Sequence, residues 1–236
     1  MKHIVITGAS SGIGMATASL LARKGYKLTL GARNLAKLEE IKTNFPQLIQ
    51  VKACDVRNYD DVTSFIDFAL KTNGPIDALI NNAGLGYFDT VLGGKIEEWH
   101  EMFDTNVKGL LNCLHACLPH LVASTGHVIN LGSVASHNVF PNSGVYCATK
   151  HAVFAISESI RLELPDKLRV TTISPGSTNT PFIDKTTNEE MLKSFKDYFA
   201  AGMSPDLIAQ QILHTLECPK EAVISEIIIR PNRASK

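Results

Sequence analysis

Seven short apolar runs punctuate the chain: HIVIT (3–7), KLTLGA (27–32), LIQVKA (48–53), IDALIN (76–81), HVINLG (127–132), LRVTTIS (168–174) and EIIIRP (226–231). Several are nearly continuous Ile, Val and Leu, the composition of strands covered on both faces of a parallel sheet. Between the first six runs, apolar residues recur every three or four positions, as on amphipathic helices. MATASLLARKG ends on Gly25, a helix stop, and NLAKLEEIKTN opens on Asn34, a helix cap. DDVTSFIDFALKTNG places Val62, Phe65, Ile66 and Ala69 on one helical face. This alternation predicts an α/β fold, a βαβ series wound into a doubly wound sheet.

Further helices are expected over 95–119 and 145–164. Gly93 and Gly94 stand before the first of them, where a capping Ser, Thr or Asp is expected, so its start is unmarked. The segment 177–203 breaks the rhythm. It follows the sixth run, is polar and only partly helical, and is expected to lie as a lid at the carboxyl edge of the sheet. No linker, repeat or low-complexity stretch divides the chain, so residues 1–236 read as one domain.

With 44% hydrophobic and 19% charged residues, the chain has the composition of a globular protein with a sizeable core. Its 23 Lys plus Arg balance 23 Asp plus Glu, so neither nucleic acid nor an anionic membrane is an expected partner. No apolar run approaches the ~18–20 residues of a membrane helix. MKHIVITGAS is too short in its apolar part to serve as a signal peptide, and a cytoplasmic location is expected. The five cysteines are an odd number without a CxxC pair, which predicts reduced thiols and no metal site.

The candidate chemistry begins at VITGASSGIG, which spans the end of the first run and the start of the first helix. Glycines there permit a tight turn and close backbone approach, and the helix start offers unpaired N–H groups to a phosphate. At the end of the second run, where many dinucleotide folds place an acid for the ribose hydroxyls, LTLGARNLAK carries Arg33 instead. Arginine pairs with a ribose 2′-phosphate that a carboxylate would repel, so NADP(H) is expected over NAD(H). In VYCATKHA, Tyr146 and Lys150 stand four residues apart and share a helical face. A free tyrosine is a poor base at neutral pH, and a nearby ammonium, together with the positive nicotinamide of an oxidised cofactor, is expected to favour its phenolate. Ser133 falls at the carboxyl end of the fifth run, where open α/β sheets bind ligands.

In family order and spacing, the chain carries TGASSGIG (7–14), DV (55–56), NNAG (81–84), Asn106 in DTNVKG, Ser133 in NLGSVAS, YCATK (146–150) and SPG (174–176). On these motifs it resembles the short-chain dehydrogenase/reductase family over nearly its whole length. The resemblance implies a Rossmann-type doubly wound seven-stranded parallel sheet, flanked by helices on both faces. It also implies nicotinamide-dependent interconversion of alcohols and carbonyls. By that resemblance Tyr146 exchanges a proton with the substrate oxygen, Ser133 hydrogen-bonds that oxygen, Lys150 also binds the nicotinamide ribose, and Asn106 holds a water that continues the proton path. The cofactor is expected against Gly8, Ser10, Ser11, Gly12, Ile13 and Gly14 of the turn, and against Arg33 and Asn34. Asp55 and Val56 are expected at the adenine, and Asn82, Ala83 and Gly84 at the ribose. Pro175, Gly176, Thr178 and Thr180 are expected around the nicotinamide and the phosphates.

Size and the EIIIRPNR ending resemble the branch of 3-hydroxy acid and serine dehydrogenases. Two alternatives stay open, a 3-oxoacyl-carrier-protein reductase and a cofactor-binding regulatory protein without turnover. A homo-oligomer, tetramer or dimer, is implied by resemblance, with Leu110, Leu111, Leu114 and Leu118 available to an interface or to the core. His137, between Ser133 and Tyr146, is a loop histidine or a pocket residue.

Overall fold

A computed structural model describes residues 1–232. Arg233, within the EIIIRPNR ending, lies outside the described residues. Seven strands form one sheet: β1 (His3–Thr7), β2 (Lys27–Ala32), β3 (Ile49–Ala53), β4 (Ala78–Asn81), β5 (His127–Leu131), β6 (Arg169–Pro175) and β7 (Glu226–Ile229). Their order is β3-β2-β1-β4-β5-β6-β7, and every pairing is parallel. The predicted Rossmann-like α/β sheet is therefore the observed one. Between the strands run α1 (Gly12–Arg23), α2 (Leu35–Asn44), α3 (Tyr59–Asn73), α4 (Ile96–Phe103), α5 (Gly109–Ser124), α6 (Gly144–Glu163), α7 (Glu189–Ala200) and α8 (Pro205–Glu217).

The strands alternate their side chains between two apolar layers. Ile4 and Ile6 of β1 join Leu21 of α1, Leu38 of α2 and Ile212 of α8 on one face. Val5 joins Phe65 and Ile66 of α3, Cys117 and Leu121 of α5 and Val153 of α6 on the other. With both faces covered, β1 and β5 are buried at every position, which is why they read as unbroken apolar runs. His3 and His127 sit in these layers as paired core residues, their Nε2 atoms 2.8 Å from Thr29 and Thr171 respectively.

The helix signals act as their chemistry predicts. Asn34 and Asn58 accept backbone N–H groups at the starts of α2 and α3, and Gly25 and Gly74 turn the chain with positive φ. The helix expected over 95–119 differs. It runs as α4 and α5 to Ser124, joined by a π-helical turn, Asp104–Lys108. Its cap residue is Lys95, without a side-chain cap bond, and at the preceding Gly94 a Cβ would lie 2.7 Å from Trp99 Nε1, so the indole packs where a side chain would stand.

Candidate active site

Sheet order reverses direction between β1 and β4, and a crevice opens beyond their carboxyl ends, as open α/β sheets require. The cleft has a volume of about 680 Å³. Thr7, the last residue of β1, stitches the two strands together. Its Oγ1 accepts from the backbone N–H groups of Asn82 and Ala83, each at 3.2 Å. The Asn82 amide in turn donates to the carbonyls of Thr7 and Gly8 at 3.0 Å. Gly8 has φ +63°, and a Cβ there would meet Ala83 Cα at 2.7 Å. A Cβ on Gly14 would collide with Asn82 Nδ2. The glycines thus let the turn press against the end of β4.

Ser11, the cap residue of α1, makes no side-chain cap bond, and Ser11, Gly12 and Ile13 line the cleft. The helix therefore presents its first N–H groups to the cavity, a site that attracts anions. Thr105 Oγ1 and Ser177 Oγ, which also line the cleft residues, are buried without a partner. Shape, helix end and orphaned hydroxyls all fit a phosphorylated dinucleotide.

The structure places every sequence-selected site residue on this cleft except Gly14 and Asn106. Gly14 lies behind the turn. Asn106, in the π-helical turn, is one layer back. Its Oδ1 accepts from Leu85 N at 2.9 Å, and its Nδ2 donates to Leu85 O at 2.8 Å and Thr149 Oγ1 at 3.0 Å. The side chain fastens the loop after β4 to α6. His137 turns away from the cleft, with Nε2 2.7 Å from Glu226 Oε1 and its ring edge-on to Phe154.

At the cleft floor, Tyr146 and Lys150 share the inner face of α6, both buried. Ser133 caps a short turn after β5, its Oγ accepting from Ala135 N at 3.1 Å. Burial raises the Tyr146 pKa above that of a free phenol, and a hydrogen bond with Ser133 opposes the rise. The Lys150 Nζ donates to the Leu131 carbonyl at 2.7 Å and lies 6.0 Å from the Tyr146 ring centre. Burial lowers the Lys150 pKa to about 8. Burial thus opposes ionisation at both groups, raising the phenol and lowering the ammonium.

At the adenosine end, Asp55 is held by Arg57 through contacts of 2.6–3.0 Å, which keep its carboxyl below the usual range. Arg33 is half exposed at the rim. Sequence reasoning missed Glu101 of α4, a carboxylate that gathers four partners. Tyr87 OH donates to it at 2.5 Å, Lys185 Nζ lies at 3.3 Å, Arg57 Nη1 at 3.5 Å and Arg33 Nη1 at 3.8 Å. Burial opposes its ionisation, but Tyr87 and the cations prevail, and its pKa falls below the ordinary value. Also missed were Phe88, Phe182, Phe195 and Phe199, which wall the opposite end. The four-residue spacing of Phe195 and Phe199, on one helical face of a largely polar segment, was the available signal.

No described helix is long and apolar enough to cross a membrane, and no described cluster could hold a metal ion.

Comparison with known proteins agrees with this geometry. The short chain dehydrogenase family model matches residues 2–191. An uncharacterized oxidoreductase of Staphylococcus saprophyticus is 42% identical, covering 99% of this chain and 97% of that protein. An alcohol dehydrogenase of the archaeon Thermococcus sibiricus, complexed with 5-hydroxy-NADP, superposes with TM-score 0.89 at 33% identity over 100% of both chains. A 3-ketoacyl-(acyl-carrier-protein) reductase of Brucella melitensis, complexed with NADH, superposes with TM-score 0.88 at 26% identity over 98% of both. The chain belongs to the short-chain dehydrogenase/reductase family of oxidoreductases.

Proposed function

We propose that this protein is an NADP(H)-dependent oxidoreductase that interconverts a secondary alcohol and a carbonyl, with Tyr146 as the proton-transfer group. The observation that carries the reading is the placement of Tyr146. It is buried at the cleft floor between Ser133 and Lys150, facing the space beside the glycine cradle. The nicotinamide supplies or accepts the hydride. Tyr146, protonated at neutral pH, donates to the oxygen of a carbonyl being reduced, and takes the proton back in the other direction. Ser133 hydrogen-bonds the same oxygen and favours the charge developing there. Lys150 is fixed by Leu131 O within reach of both Tyr146 and Gly84, where a Cβ would lie 3.7 Å from Nζ. Asn106 holds the Leu85 loop and Thr149 in register as a positioning residue.

NADP(H) is favoured by Arg33 at the cleft rim beside Asn34, with Arg57 nearby and no carboxylate at the end of β2. A 3-hydroxy acid, suggested by the chain's ending, would need a cation for its carboxylate. On that side of the cleft Lys185 is already paired with Glu101. A homo-oligomer is supported by Leu111 on α5, Leu162 on α6 and Phe103 on α4, apolar side chains exposed at 46%, 68% and 44%. Leu110 and Leu114 are core, and Leu118 packs against it. The test is absorbance at 340 nm with NADP and NAD against ketones, hydroxy acids, sugar alcohols and acetoacetyl thioesters. Turnover with none of these classes, in protein that binds cofactor, would refute the reading. A sedimentation mass of 25.7 kDa would refute the oligomer.

A further inference from the structure

The two ends of the cleft differ in chemistry. Beyond Tyr146 the wall is built by four phenylalanines from three separate segments: Phe88 after β4, Phe182 after β6, and Phe195 and Phe199 on α7. Their ring centres lie 4.9 Å (Phe88–Phe195), 5.8 Å (Phe88–Phe199) and 6.1 Å (Phe182–Phe199) apart. The wall is continuous with the reacting group, since Phe182 and Phe88 lie 5.4 and 5.9 Å from the Tyr146 ring. Phe182 is held there by a glycine. A Cβ on Gly86 would fall 2.6 Å from Phe182 Cζ, so the ring packs flat on the loop backbone.

Several polar groups of this end are already engaged. Ser143 Oγ donates to Phe140 O at 3.0 Å, and Ser194 Oγ donates to Met191 O at 2.9 Å. Lys185 is paired with Glu101, and the Lys150 Nζ donates to Leu131 O. A carboxylate placed here would lose its water and find no free cation among the described lining residues. Aromatic faces also attract quaternary ammonium groups. That alternative is disfavoured by Lys150 at this end, while the one lining carboxylate among the described residues, Asp55, is bonded to Arg57.

We propose that the substrate is a neutral, apolar alcohol or carbonyl compound carrying an aromatic or branched hydrocarbon group, which Phe88, Phe182, Phe195 and Phe199 hold against Tyr146. The proposal rests on Tyr146 as the reacting group and adds the substrate class. The α7 helix suits such a ligand. None of its residues is fully buried, and its attachment to the body includes the rings of Phe195 and Phe199, so the same aromatic surface that seats the helix can close over a hydrocarbon.

The test is calorimetric binding to the NADP-loaded protein, with acetophenone and 1-phenylethanol as neutral probes and 3-hydroxybutyrate, serine and choline as charged ones. The neutral probes should bind at least ten-fold more tightly than each charged one. Phe195→Ala and the milder Phe199→Leu should weaken the neutral probes about ten-fold and leave the NADP dissociation constant unchanged, which also certifies their fold. Tighter binding of any charged probe, absence of measurable binding by the neutral probes, or neutral affinities unmoved by both variants would each overturn the proposal. Acetophenone cannot react with oxidised NADP, so its binding is read without turnover and the two readings fail separately. Neutral preference with no absorbance change at 340 nm sinks the catalytic reading alone, and turnover confined to charged substrates sinks the substrate class alone.

Discussion

The two ends of the cleft are made in different ways. The end at the glycine turn is fixed by hydrogen bonds and close backbone approach: glycines with positive φ, a helix start without a side-chain cap, and the Thr7 and Asn82 side chains bonding β1 to β4. The far end is side chain: phenyl rings from segments far apart in sequence, meeting through contact alone. Hydrogen-bonded backbone has a fixed geometry and tolerates no added atom, whereas packed rings can slide and exchange partners. The first end is therefore expected to respond to substitution steeply and for every ligand, and the second by degrees and according to the ligand.

The largest effect is expected where the two ends meet. Tyr146→Phe keeps the ring between Phe88 and Phe182 and removes only the hydroxyl. Turnover should fall by roughly 10²–10⁴, the usual share of a general acid or base, with cofactor binding nearly unchanged. A variant retaining a tenth of the wild-type rate would contradict the assignment.

Next comes Gly8→Ala. It combines a left-handed backbone with a 2.7 Å approach to Ala83 Cα. It should cost about 2–4 kcal/mol, from overpacking and the αL penalty together, read as a lower urea midpoint and weakened affinity for both NADP and NAD. Wild-type behaviour would mean that the cradle is looser than its contacts indicate. Arg33→Ala should be selective. It should weaken NADP(H) about 10- to 100-fold, the equivalent of one charge-assisted contact, and leave NAD(H) nearly unchanged. An unchanged ratio of the two dissociation constants would remove the basis for NADP(H).

Lys150→Met sharpens the comparison by testing stability. Lowering of the lysine pKa from 10.5 to about 8 means that the folded protein holds an unfavourably buried charge at pH 7. Between about pH 8 and 10.5 the unfolded chain binds more protons at this group, so the wild type should gain stability as pH rises through that window. Tyr146, with its raised pKa, acts oppositely above about pH 10, where the unfolded phenol ionises first. At pH 7 Lys150→Met should be inactive yet about 2 kcal/mol more stable than the wild type. That figure is the charge penalty of about 3 kcal/mol less about 1 for the lost bond to Leu131 O. Denaturation curves at pH 7 and pH 10 check it, since the advantage should shrink at the higher pH. An equal advantage at both would assign the effect to packing.

Legibility in the sequence follows the same division. Strand β2 begins and ends where its run of residues does, and β4 starts only two residues late, because a strand buried on both faces needs local apolarity and little else. The glycine cradle and the Tyr146–Lys150 spacing were readable because their parts lie within one turn of chain. Three features were not. The π-helical turn at Asp104–Lys108 follows no local signal, and its Asn106 answers to Leu85 and Thr149, both distant in sequence. Gly94 looked like a missing cap because Trp99, five residues on, was not known to fold back over it. The Tyr146–Lys150 pair was read by charge, whereas the burial that governs both groups is a property of the assembled core. The lid segment was recognised by its irregularity, but nothing local in 177–203 tells that Phe195 meets Phe88.

The position of β1 in the middle of the sheet bears on how the protein is made. Ile4 pairs with Leu28 on one side and with Ala78 on the other, so the first contact closes a short length of chain and the second a much longer one. A chain leaving the ribosome can complete β1–β3 while the other edge of β1, buried in the finished sheet, waits for β4. The cradle spans that seam, with Thr7 and Gly8 on one side and Asn82 and Ala83 on the other. Cofactor recognition then cannot precede the docking of β4, and we expect it to be absent from the rate-limiting barrier. Saturating cofactor should leave the refolding rate unchanged and slow unfolding, protecting the finished enzyme without hastening its birth.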